Sequence, residues 1–134
     1  MRTAGVIVAQ PKILLIDDSA LILQVTRMAL ENAGFAVATA MTVDEFETER
    51  RSNPPDLIIV DIQMPEIFGD DLASTIRAAY REPAPILFLS GIDEEELAER
   101  AEDAGVQGWV SKRAGLPALV EKVSAILGVG PTSA

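Results

Sequence analysis

The chain has 134 residues with 21 acidic and 11 basic side chains, a formal net charge of -10, and no block of lysine or arginine that could track a phosphate backbone. That length fits one ordinary domain with a core of its own. Cysteine and histidine are both absent, which excludes disulfides, thiolate nucleophiles, iron–sulfur clusters, cysteine-based zinc sites and the usual general base. Chemistry here must run on carboxylates, hydroxyls, lysine and backbone groups. The opening MRTAGVIVAQP is too short and too weakly patterned for a signal peptide. No later apolar run approaches the roughly twenty residues of a membrane span. A cytoplasmic protein without direct nucleic-acid or membrane binding is expected.

The first element is an apolar strand at Lys12 to Ile16, ending on Asp17, Asp18 and Ser19. Leu21, Val25 and Met28 follow at helical spacing, and Gly34 stands where that helix should stop. Val37 to Ala40 forms the second apolar run and Leu57 to Val60 the third, delivering Asp61. Leu72, Ile76 and Ala79 repeat at helical spacing, and YREPAP at 80–85 is a rigid approach to the fourth run, Ile86 to Leu89, which ends on Ser90. Asp93 with Glu96 resembles a capping box opening the acidic helix EEELAERAEDA, with Leu97, Ala101 and Ala104 facing inward and Gly105 closing it. The fifth run, Trp109 to Val110, leads to Lys112. A last helix follows, with a stripe of Leu116, Val120, Val123 and Leu127, Pro117 in its first turn and Gly128 as its stop. Strands apolar on both faces and separated by helices predict a parallel sheet covered on both sides.

Such sheets bind ligands beyond the carboxyl ends of their strands, where strand order reverses. The first and third strands bring Asp17, Asp18 and Asp61 to that rim. Three like charges converge only with a compensating cation or with protonation, and an all-oxygen ligand set suits Mg²⁺. Ser90 and Lys112, at the ends of the fourth and fifth strands, add a hydroxyl and an ammonium, each able to hold a phosphoryl oxygen. Asp61 is then the candidate nucleophile, forming an aspartyl phosphate. Each residue has a bland reading as well: Asp-Asp-Ser as a turn and helix cap, Asp61 as a loop acid, Ser90-Gly91 as a turn pair, Lys112 as a snorkelling side chain. Their joint placement on strands one, three, four and five favours the chemical reading.

LLIDDS at 14–19, DIQMP at 61–65 followed by Gly69, LSG at 89–91 and WVSK at 109–112, in this order, resemble the receiver domain of two-component response regulators, in its single-domain, chemotaxis-regulator-like form. The resemblance covers residues 12–128, leaving 1–11 as an N-terminal extension and 129–134 as a tail. It implies an α/β fold, a three-layer α/β/α sandwich around a five-stranded parallel sheet of flavodoxin-like order 2-1-3-4-5. It also implies that Asp61 is the phosphoacceptor and that Asp17, Asp18, Asp61 and the backbone carbonyl of Gln63 hold Mg²⁺. The Gln63 side chain would be free to face a donor or water. Ser90 and Lys112 would contact the phosphoryl group, and Trp109 falls at the aromatic position linked to activation.

A histidine kinase or histidine phosphotransfer protein is the implied donor, necessarily another chain because this one has no histidine. The surface of the fourth helix, fifth strand and last helix would then meet a downstream protein, with homodimerisation on phosphorylation as a further implied outcome. The result is a switch and not a turnover enzyme. The rival readings are a phosphate-independent interaction module of the same fold and a receiver excised from a larger regulator or hybrid kinase. A phosphatase with Asp61 as nucleophile would want a second acid where Gln63 stands, and a dinucleotide-binding module would want glycines where DDSALI lies. The sequence departs from the family pattern at three places. Arg113 stands where proline usually follows the lysine, so KRAGL is expected to take its own path. Phe68 replaces a common acidic or amide residue, and tryptophan replaces the commoner tyrosine or phenylalanine at 109.

Overall fold

A computed structural model describes residues 10–63 and 84–129. Expectations about Phe68, Gly69, the helix at Leu72, Ile76 and Ala79, the start of YREPAP, most of the N-terminal extension and most of the tail fall outside the described residues.

Five strands, β1 (Lys12–Ile16), β2 (Ala36–Ala40), β3 (Leu57–Asp61), β4 (Ile86–Ser90) and β5 (Gly108–Ser111), pair in parallel in the order β2-β1-β3-β4-β5. This is the expected order. Among the described residues the helices are α1 (Ala20–Asn32), α2 (Val43–Ser52), α3 (Glu94–Ala104, the acidic helix) and α4 (Leu116–Leu127, the last helix). The direction of each crossover sorts them by face. The chain steps one way from β1 to β2 and the other way from β2 to β3, so right-handed connections place α1 and α2 on opposite sides.

Side-chain alternation along the strands feeds two cores. Leu14, Ile16, Ile58, Val60, Ile86 and Phe88 pack with Phe46 of α2 and with Leu97 and Ala101 of α3. Ile13, Leu15, Leu57, Ile59, Leu87 and Leu89 pack with Leu23 and Leu30 of α1 and with Leu119 and Val123 of α4. That is the three-layer sandwich. On the α4 side the Lys122 side chain lies over Gly108, where an added Cβ would sit 2.9 Å from Lys122 Cε.

Helix ends follow the expected chemistry. Asp93 accepts hydrogen bonds from Glu95 N and Glu96 N at the start of α3, and Gly105 and Gly128 close α3 and α4 in left-handed conformations. Two stripes differ from expectation. In α1 the buried positions are Leu23, Thr26 and Leu30, while Leu21 and Met28 are 68% and 54% exposed. Leu21, Val25 and Met28 share helical spacing, but the helix is rotated by the packing demands of β1 and α4. In α4 the stripe centres on Leu119 and Val123, and Leu116, Val120 and Leu127 flank it partly buried.

Candidate functional site

Strand register gathers the rim residues. Ile16 pairs with Val60, Asp61 with Leu89, and Ser90 with Ser111, so Asp17, Asp61, Ser90 and Lys112 follow at the ends of four adjacent strands. The reversal of strand order lies between β1 and β3, where the ligand crevice of an open parallel sheet is expected. Carboxylate oxygens of Asp17, Asp18 and Asp61 lie within 4.8 Å of one another, with Asp17 and Asp61 buried and Asp18 exposed.

Lys112 Nζ donates to Asp17 Oδ2 and to Asp61 Oδ2, at 3.2 Å each. The ammonium is therefore an internal counter-cation for both buried acids. Burial works against its charge, but Asp61 and then Asp17 outweigh burial, and the Lys112 pKa is raised. Asp17 is also raised: burial is the main cause, and repulsion from Asp61 adds to it against the Ser19 N–H and Lys112. One lysine does not fully compensate the acids, and the donor set is all oxygen. The cluster fits a hard divalent cation such as Mg²⁺, held by the Asp17, Asp18 and Asp61 carboxylates.

The turn-and-cap reading of Asp-Asp-Ser holds for part of the run as well. Asp17 Oδ1 accepts from Ser19 N, and Ser19 Oγ accepts from Ile22 N to cap α1. This turn fixes the Asp17 carboxylate toward Lys112, so the cap serves the site. Beyond Lys112 the chain forms a single 3-10 turn, Lys112–Ala114, and Ser111 Oγ accepts from Arg113 N at 3.1 Å. A proline at 113 has no N–H to give. Gly115 follows at φ +91, a conformation that favours glycine, and the chain enters α4. KRAGL thus runs through a single 3-10 turn and Gly115 into α4. The Ser111–Arg113 hydrogen bond was legible only as a serine two residues before an N–H.

Gln63 differs most from expectation. Its N–H donates to Asp61 Oδ1 at 2.9 Å, and its side chain is engaged: Oε1 accepts from Ser90 Oγ and from Gly91 N, both at 2.9 Å. Ser90 is fully buried, and its oxygen also accepts from Ile92 N. Trp109 is half-buried, packed against the core on the α2–α3 side together with Ile92 and Ala104.

A family model described as the response regulator receiver domain matches residues 13–124. The chain is 32% identical over 118 residues to the phosphate regulon transcriptional regulatory protein PhoB of Rhizobium meliloti, covering 87% of this chain and 52% of that one. It is 34% identical over 102 residues to the transcriptional regulatory protein PdtaR of Mycobacterium tuberculosis, covering 75% of this chain and 49% of that one. The chain therefore spans about half the length of these relatives. Among solved structures it is similar to the chemotaxis protein CheY4 of Vibrio cholerae, at 28% identity and TM-score 0.79, covering 88% of this chain and 99% of that one. It is also similar to a two-component response regulator of Clostridium difficile, at 30% identity and TM-score 0.79, covering 89% and 97%.

Proposed function

The chain belongs to the response regulator receiver domain family, and on that premise we propose that it is a phosphorylation-dependent signalling switch whose phosphoacceptor is Asp61. The observation that carries the proposal is the convergence of Asp17, Asp18 and Asp61 on one rim with Lys112 bridging the two buried acids.

In this reading a histidine kinase or histidine phosphotransfer protein presents phosphohistidine at the rim. An Asp61 carboxylate oxygen attacks phosphorus in line, an O–P bond forms, and the P–N bond breaks with its electron pair passing to the partner's imidazole, which takes up a proton from solvent. Asp17, Asp18, Asp61 and the Gln63 carbonyl would hold Mg²⁺, which when bound would neutralise the acids and the transferring oxygens. Lys112, already at Asp61 Oδ2, holds one phosphoryl oxygen, and the Ser90 hydroxyl another. The Gln63 N–H and Lys112 fix the rotamer of Asp61 before any donor arrives.

The output follows from connectivity. Ser90 and Gly91 lead within two residues to Asp93, the cap of α3, so a shift of Ser90 is felt at once by α3 and by Trp109 on the neighbouring strand. The surface of α3, β5 and α4 is the proposed docking face for a downstream protein, or for a second copy after phosphorylation. The unit proposed to act is the receiver at 12–128, a switch in the cytoplasm beside its kinase. Among the described residues no helix is long and apolar enough to cross a membrane.

Intact mass after brief incubation with acetyl phosphate, with and without Mg²⁺ and beside Asp61→Asn, tests the proposal. One phosphoryl adduct that requires both Mg²⁺ and Asp61 is expected. No adduct in the folded protein under rapid quench would leave a phosphate-independent interaction module of the same fold.

A further inference from the structure

Gln63 Oε1 takes two donors at once, the Ser90 hydroxyl and the Gly91 N–H. A backbone N–H can only donate, so the atom facing Gly91 must be the amide oxygen and not the nitrogen. The hydroxyl has a single proton, and here it points at Gln63, not at the space above Asp61. A Cβ at Gly91 would sit 3.4 Å from the same oxygen, in ordinary van der Waals contact. The amide oxygen thus occupies the donor set that a phosphoryl oxygen on Asp61 needs.

We propose that the Gln63 side chain is a latch: its amide oxygen holds Ser90 and Gly91 in the resting loop and competes with the phosphoryl group for the same donors. Gln63 is a positioning residue in this role, acting through Ser90. The inference rests on the phosphoryl-acceptor reading of the site, which it deepens. Removing the acceptor leaves the proton of the buried Ser90 hydroxyl without its resting partner, while its oxygen keeps the Ile92 N–H, and a phosphoryl oxygen supplies an acceptor again. The sign is therefore fixed: loss of the latch favours the modified state.

The test is isothermal titration calorimetry of beryllium trifluoride, a phosphoryl mimic, into the full chain with excess Mg²⁺. Gln63→Met, close in shape and without an acceptor oxygen, is expected to bind about tenfold tighter than the natural chain, about 1.4 kcal/mol. Gln63→Asn, whose amide falls one carbon–carbon bond short, should move the same way. In a Ser90→Ala background the Gln63→Met effect should shrink to about threefold or less, because the shared hydroxyl is gone. Without ligand, amide NMR should show the Gly91 N–H losing its hydrogen bond in Gln63→Met. If the natural chain binds beryllium trifluoride and both folded variants bind equally or more weakly, the latch is wrong and the phosphoryl reading stands. If the natural chain binds none, the phosphoryl reading itself fails.

Discussion

Asp17 is almost fully buried beside a like charge, and its replacement by asparagine gives the sharpest test of the site's electrostatics. The two pairwise interactions largely offset each other. At an effective dielectric of about 20, a unit charge within 4.8 Å of Asp61 is repelled by at least about 3.5 kcal/mol, and one at 3.2 Å from Lys112 is attracted by about 5 kcal/mol. What remains is the cost of removing Asp17 from water, several kcal/mol for a buried ion, offset partly by the Ser19 N–H. An asparagine amide at that position would keep the acceptor for Ser19 without the charge. In EDTA at pH 7, Asp17→Asn should therefore be more stable by about 1–2 kcal/mol, seen as a higher midpoint in urea. The pH dependence has a defined sign. Asp17 is raised above its ordinary 3.8 by burial and by Asp61, so its destabilisation is fully present above the raised pKa. It shrinks as pH falls through that pKa and vanishes below 3.8. Saturating Mg²⁺ should reverse the order, stabilising the natural chain and not the variant. A variant less stable than the natural chain in EDTA at neutral pH would refute this reasoning and mean that attraction to Lys112 outweighs the cost of burial.

Asp18→Ala should leave metal-free stability within about 0.5 kcal/mol, because the side chain is exposed. It should abolish the gain, about 2.7 kcal/mol at a hundredfold excess over Kd, that Mg²⁺ gives the natural chain. Lys112→Met should cost about 2–3 kcal/mol in EDTA by leaving Asp17 and Asp61 uncompensated. Because the Lys112 pKa is raised, its stabilisation is fully present below 10.5, and alkaline urea titrations should show the gap closing as pH rises beyond that. Arg113→Pro removes the N–H donor to Ser111 and biases Lys112 out of its helical turn. A loss of about 2 kcal/mol and roughly tenfold slower labelling of Asp61 by acetyl phosphate are expected. Leu30→Ala should cost about 2–5 kcal/mol, and Leu21→Ser less than about 0.5; the reverse order in urea midpoints would put Leu21, Val25 and Met28 on the inward face of α1.

The sheet was legible because its three central strands, β1, β3 and β4, are buried on both faces and so read as apolar runs, and because β1, β3, β4 and β5 lead to residues with chemistry. The α3 boundaries were legible because Asp93 and Gly105 mark them chemically. The inward face of α1 was not, because Leu21, Val25 and Met28 alternate with Leu23, Thr26 and Leu30 at equivalent spacing, and only packing chooses between the two sets. Helix α2 has one buried anchor, Phe46, which leaves little periodicity to read. Its start carried a signal nonetheless: Thr42 caps Glu45 N, while Glu45 Oε1 accepts from Met41 N. At the rim, the convergence of Asp17, Asp18, Asp61 and Lys112 followed from strand ends alone. The engagement of Gln63 did not, because a long polar side chain has rotamers that reach donor, water or Ser90, and sequence spacing does not select among them.

The two groups proposed to hold the phosphoryl oxygens start from different states, and that difference locates the conformational change. Lys112 already lies 3.2 Å from Asp61 Oδ2 and needs only a small shift to follow charge added to that carboxylate. Ser90 must give up Gln63, and Gly91 loses the same partner when it does. In the proposed switch the electrostatic response would therefore cost little on the β5 side, and the barrier and the displacement would be concentrated in the loop after β4. That loop runs directly into the Asp93 cap of α3, so breaking the Gln63 contacts moves the helix start instead of dissipating in a free turn. A phosphoryl group that satisfied Lys112 alone would leave α3 where it is. In the proposed switch, only one strong enough to take Ser90 from Gln63 would change the surface proposed to meet a partner.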